Sequence, residues 1–311
     1  MATPLSDATA GAIGSVLANT IVFPLDVVKT RMQVQNKTLD ATRDYKSPRD
    51  AILKILKTEG VKGLYAGIAS GLVGTVVSSF SYFYIYSYIR GYYSKKIGGV
   101  SISTAMELTL GAVAGALCQF IVLPIGIVTT RQQTDEKEMT VYETAQKIVK
   151  EDGFTELWKG LQASLVLCVN PAITFGVFER IKGIIQKASA NPNANITSGQ
   201  AFMIGALSKA LATVVTYPYI MAKVRMQWKP SKKQIDGLSE SQKSFFKYKS
   251  AWDILAKVYK TDGFRGWYTG MSAQLLKAVL TQAIVFALKE KLSLYTILLF
   301  TALRKPAKIA A

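Results

Sequence analysis

Six long stretches of this chain carry little or no charge, each long enough to cross a hydrocarbon layer as a helix. They cover residues 8–25, 63–89, 108–130, 160–178 and 196–222, and a last one runs from residue 266 onward. Lys209 interrupts the fifth, while Lys277, Lys289, Glu290 and Lys291 fall in the sixth. Within each pair of stretches lies a shorter amphipathic segment. The first opens at Ser47-Pro48, a helix-start signal, with Ala51, Ile52, Ile55 and Leu56 on one side. Its counterparts are residues 141–150 and 248–259. All three are too short and too charged to span, so they are expected to lie at the membrane surface. The pattern predicts an all-α membrane protein with six transmembrane helices and three surface helices.

The same residues recur at the same places in each pair. Pro24 precedes Arg31 by seven positions, Pro124 precedes Arg131 and Pro218 precedes Arg225, each at the end of an odd apolar run. Glu59-Gly60 leads to Tyr65-Ala66-Gly67, Asp152-Gly153 to Trp158-Lys159-Gly160, and Asp262-Gly263 to Tyr268-Thr269-Gly270. Two motifs in one order, three times over, define three tandem repeats with boundaries at 1–98, 99–190 and 191–311. Each proline removes a helical hydrogen bond, so Pro24, Pro124 and Pro218 are predicted kinks, with a further one at Asn170-Pro171.

Composition agrees with a membrane location and narrows the chemistry. Half of the 311 residues are hydrophobic, and 38 Lys and Arg against 20 Asp and Glu leave a net charge of +18. In a soluble protein such an excess would suggest nucleic acid. Here the basic residues sit largely between the apolar runs, facing anionic headgroups or anionic solutes, and no nucleic-acid partner is expected. The chain has no histidine, which excludes imidazole catalysis and histidine metal sites. Cys118 and Cys168 fall inside apolar runs without pair spacing, so neither a disulfide nor a metal site is expected. No phosphate-cradling Gly-rich loop with a following Lys is present, and neither enzyme activity nor a cofactor is expected. Residues 1–7 lack the basic stretch of a signal or transit peptide, which points to an internal targeting signal.

Single polar residues in the apolar runs are the candidate chemistry. Lys277 is costly facing lipid, by roughly 2.5 to 3.5 kcal/mol, so it is expected to face the bundle or a water-filled cavity. Lys209 replaces the second small residue of a frame seen at Gly11 with Ser15 and Gly111 with Gly115, and either pairs with Glu179 or snorkels. Asn19, Gln119 and Asn170 are expected to hydrogen-bond between helices. The tyrosines from Tyr82 to Tyr88 suit an interfacial aromatic belt, with base stacking as the lesser reading.

The paired helices, the proline motif closing each odd helix and the acidic-Gly to aromatic-x-Gly motif opening each even one closely resemble the mitochondrial carrier family, over nearly the whole chain. The resemblance implies three helical hairpins around a pseudo-threefold axis, a central substrate site and alternating access gated by ion-pair networks at either mouth. Only the first repeat has the full Pro-x-Asp-x-x-Lys, with Asp26 and Lys29; the second has Gly126 and Thr129, and the third Ile220 and Lys223. A weak or absent inner network is therefore expected, with Arg131 sharing a structural role there with Arg31 and Arg225. At the other mouth the family's aromatic-acidic-x-x-basic pattern is complete only at Phe178-Glu179 with Lys182; the second helix offers Tyr86-Ser87 and Arg90, and the sixth has Lys289 where an acid is expected. The family's contact points, two turns past the closing glycine of each even helix, fall on Gly74, Leu167 and Lys277. Leu167 with Cys168 offers an apolar surface and Lys277 a cation, a combination suited to a ligand with an aromatic base and phosphates. Lys209 and Asn170 complete the candidate substrate-binding set.

Shorter strings resemble the adenine nucleotide carriers of fungal peroxisomes: Thr130-Arg131-Gln132-Gln133-Thr134, Asn170-Pro171-Ala172-Ile173-Thr174 and Leu207-Ser208-Lys209 among them. This implies an antiporter of the peroxisomal membrane that exchanges cytosolic ATP for AMP or ADP in support of fatty-acid activation. It also implies a monomer in contact with membrane lipid and delivered by a peroxisomal import receptor. The alternatives are a carrier of CoA, NAD or FAD, a mitochondrial inner-membrane location, and a non-transporting scaffold of the same fold.

Overall fold

The computed structural model describes residues 4–35, 44–96, 98, 102–135, 139–188, 197–230, 246, 248–281 and 284. Among them there is no strand. The first repeat contains α1 (Pro4–Val34), α2 (Pro48–Thr58), α3 (Gly60–Leu64) and α4 (Ile68–Lys96). The second contains α5 (Thr104–Thr134), α6 (Val141–Asp152), a 3-10 turn (Phe154–Trp158), α7 (Leu161–Leu167) and α8 (Asn170–Ala188). The third contains α9 (Ser198–Gln227), α10 (Ala251–Gly266) and α11, helical over residues 271–281. Gly60–Lys96, Thr104–Thr134, Phe154–Lys187 and Gly199–Gln227 are long and apolar enough to cross a membrane. α1 adds a 31-residue helix. Lys289 and the end of the sixth stretch lie outside the described residues.

The first two surface helices start where expected, at Pro48 and Val141, and the third starts at Ala251, three residues later than expected. The side chains of Ser47, Thr140 and Ser250 each accept a hydrogen bond from the backbone N–H three residues on, and at Thr140 the Glu143 carboxylate returns the bond to complete a capping box. Each helix then lays an apolar edge on the odd helix before it. Ile55 packs with Val28 and Met32, Ile148 with Ile127 and Val128, and Ile254 with Met221 and Met226. Burying each isoleucine contributes about 2 kcal/mol. α10 runs beyond the expected segment, to Gly266, and bends at Gly263, whose φ is +65°.

The odd helices continue through their prolines, so Pro24, Pro124 and Pro218 all sit inside helices of 30 or 31 residues. Proline leaves the carbonyl four residues earlier without its helical donor. In the second repeat that carbonyl belongs to Phe120, and the indole Nε1 of Trp158 donates to it at 2.9 Å. The fourth span breaks as expected near Asn170-Pro171, with α7 and α8 separated by a turn at Cys168 and Val169. The tyrosine-rich part of α4 divides by face: Tyr84, Tyr88 and Tyr92 are exposed, whereas Tyr82 and Tyr86 stack on each other and line an internal cavity.

Candidate functional site

Three buried or nearly buried arginines tie the C-terminal ends of the odd helices into a ring. Arg31 Nε donates to the Gln133 carbonyl at 2.8 Å, Arg131 Nε to that of Gln227 at 2.9 Å, and Arg225 Nε to that of Gln33 at 2.9 Å. Each arginine thus reaches from its own repeat to the next, and the third returns to the first. The acids of the acidic-Gly motif hold the other end of two guanidinium groups. Glu59 takes Arg31 through two bonds of 2.5 and 2.7 Å, and Asp152 takes Arg131 at 3.3 Å. Planar bidentate pairing is what guanidinium supplies and ammonium does not.

The closing glycines seal the same ring from the even helices. Gly67, Gly160 and Gly270 all have positive φ, and each backbone lies against the odd helix of the next repeat, at Gln132, Met226 and Gln33 respectively. Around Gln33 the fit is tightest. Its amide donates to the Tyr217 hydroxyl at 3.0 Å, which donates in turn to the Thr269 carbonyl at 2.9 Å.

Just inside this closed end lies a cluster of cations around one carboxylate. Asp26 Oδ1 accepts from Lys29 at 2.7 Å and from Lys277 at 2.5 Å, while its Oδ2 accepts from Gln133 at 3.4 Å. Lys223 lies within electrostatic reach of Lys29. Lys277 therefore faces the bundle, and its partner is Asp26 on α1. The inner end is consequently better tied than the motif count implied, because Lys277 of α11 adds a second cation to Asp26 of the one complete Pro-x-Asp-x-x-Lys.

A cavity of about 490 Å³ opens above Lys223, between α4, α5, α7 and the start of α8. Leu167 and Cys168 form part of its wall. Gly74 sits elsewhere: a Cβ on it would meet Ile125 Cγ2 at 3.3 Å, which places it in the α4–α5 packing. Lys209 donates to Asn170 Oδ1 at 2.9 Å, and Asn170 Nδ2 donates to Thr216 Oγ1 at 2.7 Å. The pairing of Lys209 with Glu179 is thus not observed; Glu179 instead faces Lys182 of its own helix at 3.7 Å. Asn170 begins α8 at the α9 interface and intercepts the lysine.

At the far end of the cavity the sequence reading missed an acid. Glu107, one residue before the third uncharged run, accepts from Arg90 at 2.7 Å and from the Tyr86 hydroxyl, and so binds α4 to α5. The glutamines two positions after each arginine were also missed, although Arg31-x-Gln33, Arg131-x-Gln133 and Arg225-x-Gln227 repeat as regularly as the prolines. Among the described residues no cluster suited to a metal ion is present.

Three pseudo-equivalent helical repeats, tied shut at one end and hollow towards the other, define a membrane carrier. The family described as mitochondrial carrier protein matches residues 1–97, 101–189 and 194–297, and the chain belongs to that family. It is 34% identical to peroxisomal adenine nucleotide carrier 1 of Glycine max, over 97% of this chain and 94% of the relative. It is 33% identical to peroxisomal adenine nucleotide transporter 1 of Saccharomyces cerevisiae, over 93% of this chain and 91% of the relative. The peroxisomal nicotinamide adenine dinucleotide carrier of Arabidopsis thaliana is 29% identical, over 94% of this chain and 96% of the relative. The chain is a multi-pass protein of the peroxisomal membrane.

Proposed function

We propose that the protein exchanges adenine nucleotides across the peroxisomal membrane, bringing ATP in from the cytosol against AMP or ADP and so supplying fatty-acid activation. The observation that carries this reading is the cation cluster at the closed end. Lys29 and Lys277 share the single carboxylate of Asp26, and Lys223, near Lys29, lines the cavity, so that the three lysines and one carboxylate leave an excess of two positive charges. A polyphosphate satisfies that excess in a low-dielectric site where an unpaired ammonium is costly. Phosphate oxygens draw Lys277 off Asp26, which unties α11 from α1 and loosens the closed end. The substrate thereby supplies the free energy that opens the far side, and an empty carrier with its pair re-formed stays shut. Obligate exchange follows from this coupling. The names of two relatives, adenine nucleotide carriers of peroxisomes, support the same substrate and membrane.

The test is uptake into liposomes holding the purified protein and loaded with ATP. Labelled AMP, ADP and ATP should enter only when nucleotide is present inside, and Lys277→Ala should abolish entry. A second reading, a carrier of CoA, NAD or FAD, draws on the dinucleotide carrier among the relatives. CoA or NAD exchanging for internal ATP as well as AMP does would establish it, and uptake of nothing would leave a scaffold that does not transport.

A further inference from the structure

We propose that the cavity wall above Lys223 is a slot for a purine ring, with Tyr82 as its stacking face and the Ser164 hydroxyl as acceptor for the exocyclic amino group. This rests on the nucleotide reading above and adds which part of the ligand is read, and by what. The inference starts from one orphan atom. Ser164 is 1% exposed, its Oγ has no hydrogen-bond partner, and it lines the cavity. A serine in a helix ordinarily bonds its hydroxyl back to the preceding turn, as Thr129, Thr174 and Thr213 do here. A buried hydroxyl left without a partner costs about 1 to 3 kcal/mol, which a ligand atom recovers on binding.

Two glycines leave part of the cavity wall without side chains. Gly111 and Gly115 stand one turn apart on the cavity face of α5 and add no side chain to its floor. A Cβ on Gly111 would lie 3.3 Å from the Tyr82 hydroxyl, and one on Gly115 would lie 3.7 Å from Cys168 Sγ. The floor thus spans from the tyrosine on α4 to the cysteine at the end of α7. Tyr82 is held in place by stacking on Tyr86, at 6.0 Å between centroids with planes 6° apart, and Tyr86 is anchored through its hydroxyl to Glu107. Gln119, one turn beyond Gly115, adds a carboxamide with both donor and acceptor on the same face. Lys223 lines the same cavity and supplies the cation towards which the phosphates of a bound nucleotide would point. Aromatic stacking holds the base, and Ser164 and Gln119 hydrogen-bond its edge.

The probe is a pair of nucleotides that differ by one amino group, AMP and purine riboside 5′-monophosphate, offered to proteoliposomes loaded with ATP. Wild-type protein should prefer AMP by roughly two- to tenfold in KM, the scale of one neutral hydrogen bond. Ser164→Ala should erase that preference by raising KM for AMP to that of purine riboside 5′-monophosphate, and Tyr82→Leu should raise KM for both. Competition in the unsubstituted protein, with labelled AMP against UMP and ribose 5-phosphate, needs no variant to fold, and AMP should outcompete both. Equal competition by ribose 5-phosphate overturns the slot while leaving phosphate transport in place. A preference for AMP that survives Ser164→Ala overturns the role of the hydroxyl. Failure of the wild-type protein to move any nucleotide removes the functional reading and the slot with it.

Discussion

Lys277 on α11 meets Asp26 on α1 at 2.5 Å, across 251 residues of chain, and so joins the last repeat directly to the first. Asp26 also holds Lys29, so its carboxylate serves two ammonium groups that are each mostly buried. The two partners are therefore unequal. Removing Lys277 leaves Asp26 with Lys29, whereas removing the Asp26 charge leaves Lys29 and Lys277 facing each other without a carboxylate between them. Asp26→Asn should destabilise the closed form by about 3 to 5 kcal/mol, the usual cost of stripping one partner from a buried pair. Lys277→Met should cost clearly less. Thermal unfolding of the purified variants in detergent gives the order, and a larger loss in Lys277→Met would contradict this account of the cluster.

The arginine ring predicts that charge alone is not enough. Arg31 makes two bonds to Glu59 and a third to the Gln133 carbonyl, and its side chain is 3% exposed. A lysine at this position keeps the charge but has one nitrogen to serve both partners. Arg31→Lys should cost about 2 to 3 kcal/mol through the lost carbonyl bond and imperfect pairing with Glu59. A melting temperature equal to wild type would show that the ring is held by charge and not by geometry.

The closing glycines separate two costs that usually come together. All three have a left-handed φ, near +75° at Gly67, +85° at Gly160 and +83° at Gly270. A Cβ at Gly160 would find its nearest neighbour at 3.6 Å, ordinary contact. At Gly270 it would lie 3.0 Å from Gln33 Cγ and 3.3 Å from the Gln33 backbone nitrogen, which has no freedom to move aside. Gly160→Ala should therefore cost about 1 kcal/mol, the backbone penalty alone. Gly270→Ala should cost about 3 kcal/mol, because crowding is added to it. Equal effects on thermal stability would place the whole penalty in the backbone.

What the sequence made legible is the part of the fold that repeats. Three copies of a proline motif and three of an acidic-Gly motif set the register of the repeats, and the start signal at Ser47-Pro48 marks where the first surface helix begins. The break at Asn170-Pro171 is likewise local, a missing N–H. Partners across repeats were less accessible. Lys277 could be placed inside the bundle by its desolvation cost, but which carboxylate it meets depends on how α11 packs on α1. Glu107 lies one residue outside an uncharged run, and only the fold brings Arg90 and Tyr86 beside it. Lys209 could be paired with Glu179 on charge alone, yet Asn170 is the nearer acceptor. Pairwise charge matching fails here because helix rotation, and not sequence distance, decides which groups meet.

The bond from Trp158 to Phe120 explains how a proline is carried in the middle of a membrane helix, and it can be isolated by a double substitution. Pro124 has no N–H to give the Phe120 carbonyl, and the indole of Trp158, from the aromatic-x-Gly motif of the same repeat, donates to it at 2.9 Å. In lipid no water replaces a lost donor, so Trp158→Phe should leave that carbonyl unsatisfied at a cost of about 1 to 3 kcal/mol. In a Pro124→Ala background the residue at 124 regains an N–H, and the Phe120 carbonyl recovers its helical partner. Trp158→Phe should then cost less by about the worth of one hydrogen bond, roughly 1 kcal/mol. The coupling energy between the two sites, read from thermal unfolding of the four proteins, should therefore be of that size. Strict additivity would mean that Trp158 acts by packing alone and that the kink at Pro124 is satisfied elsewhere.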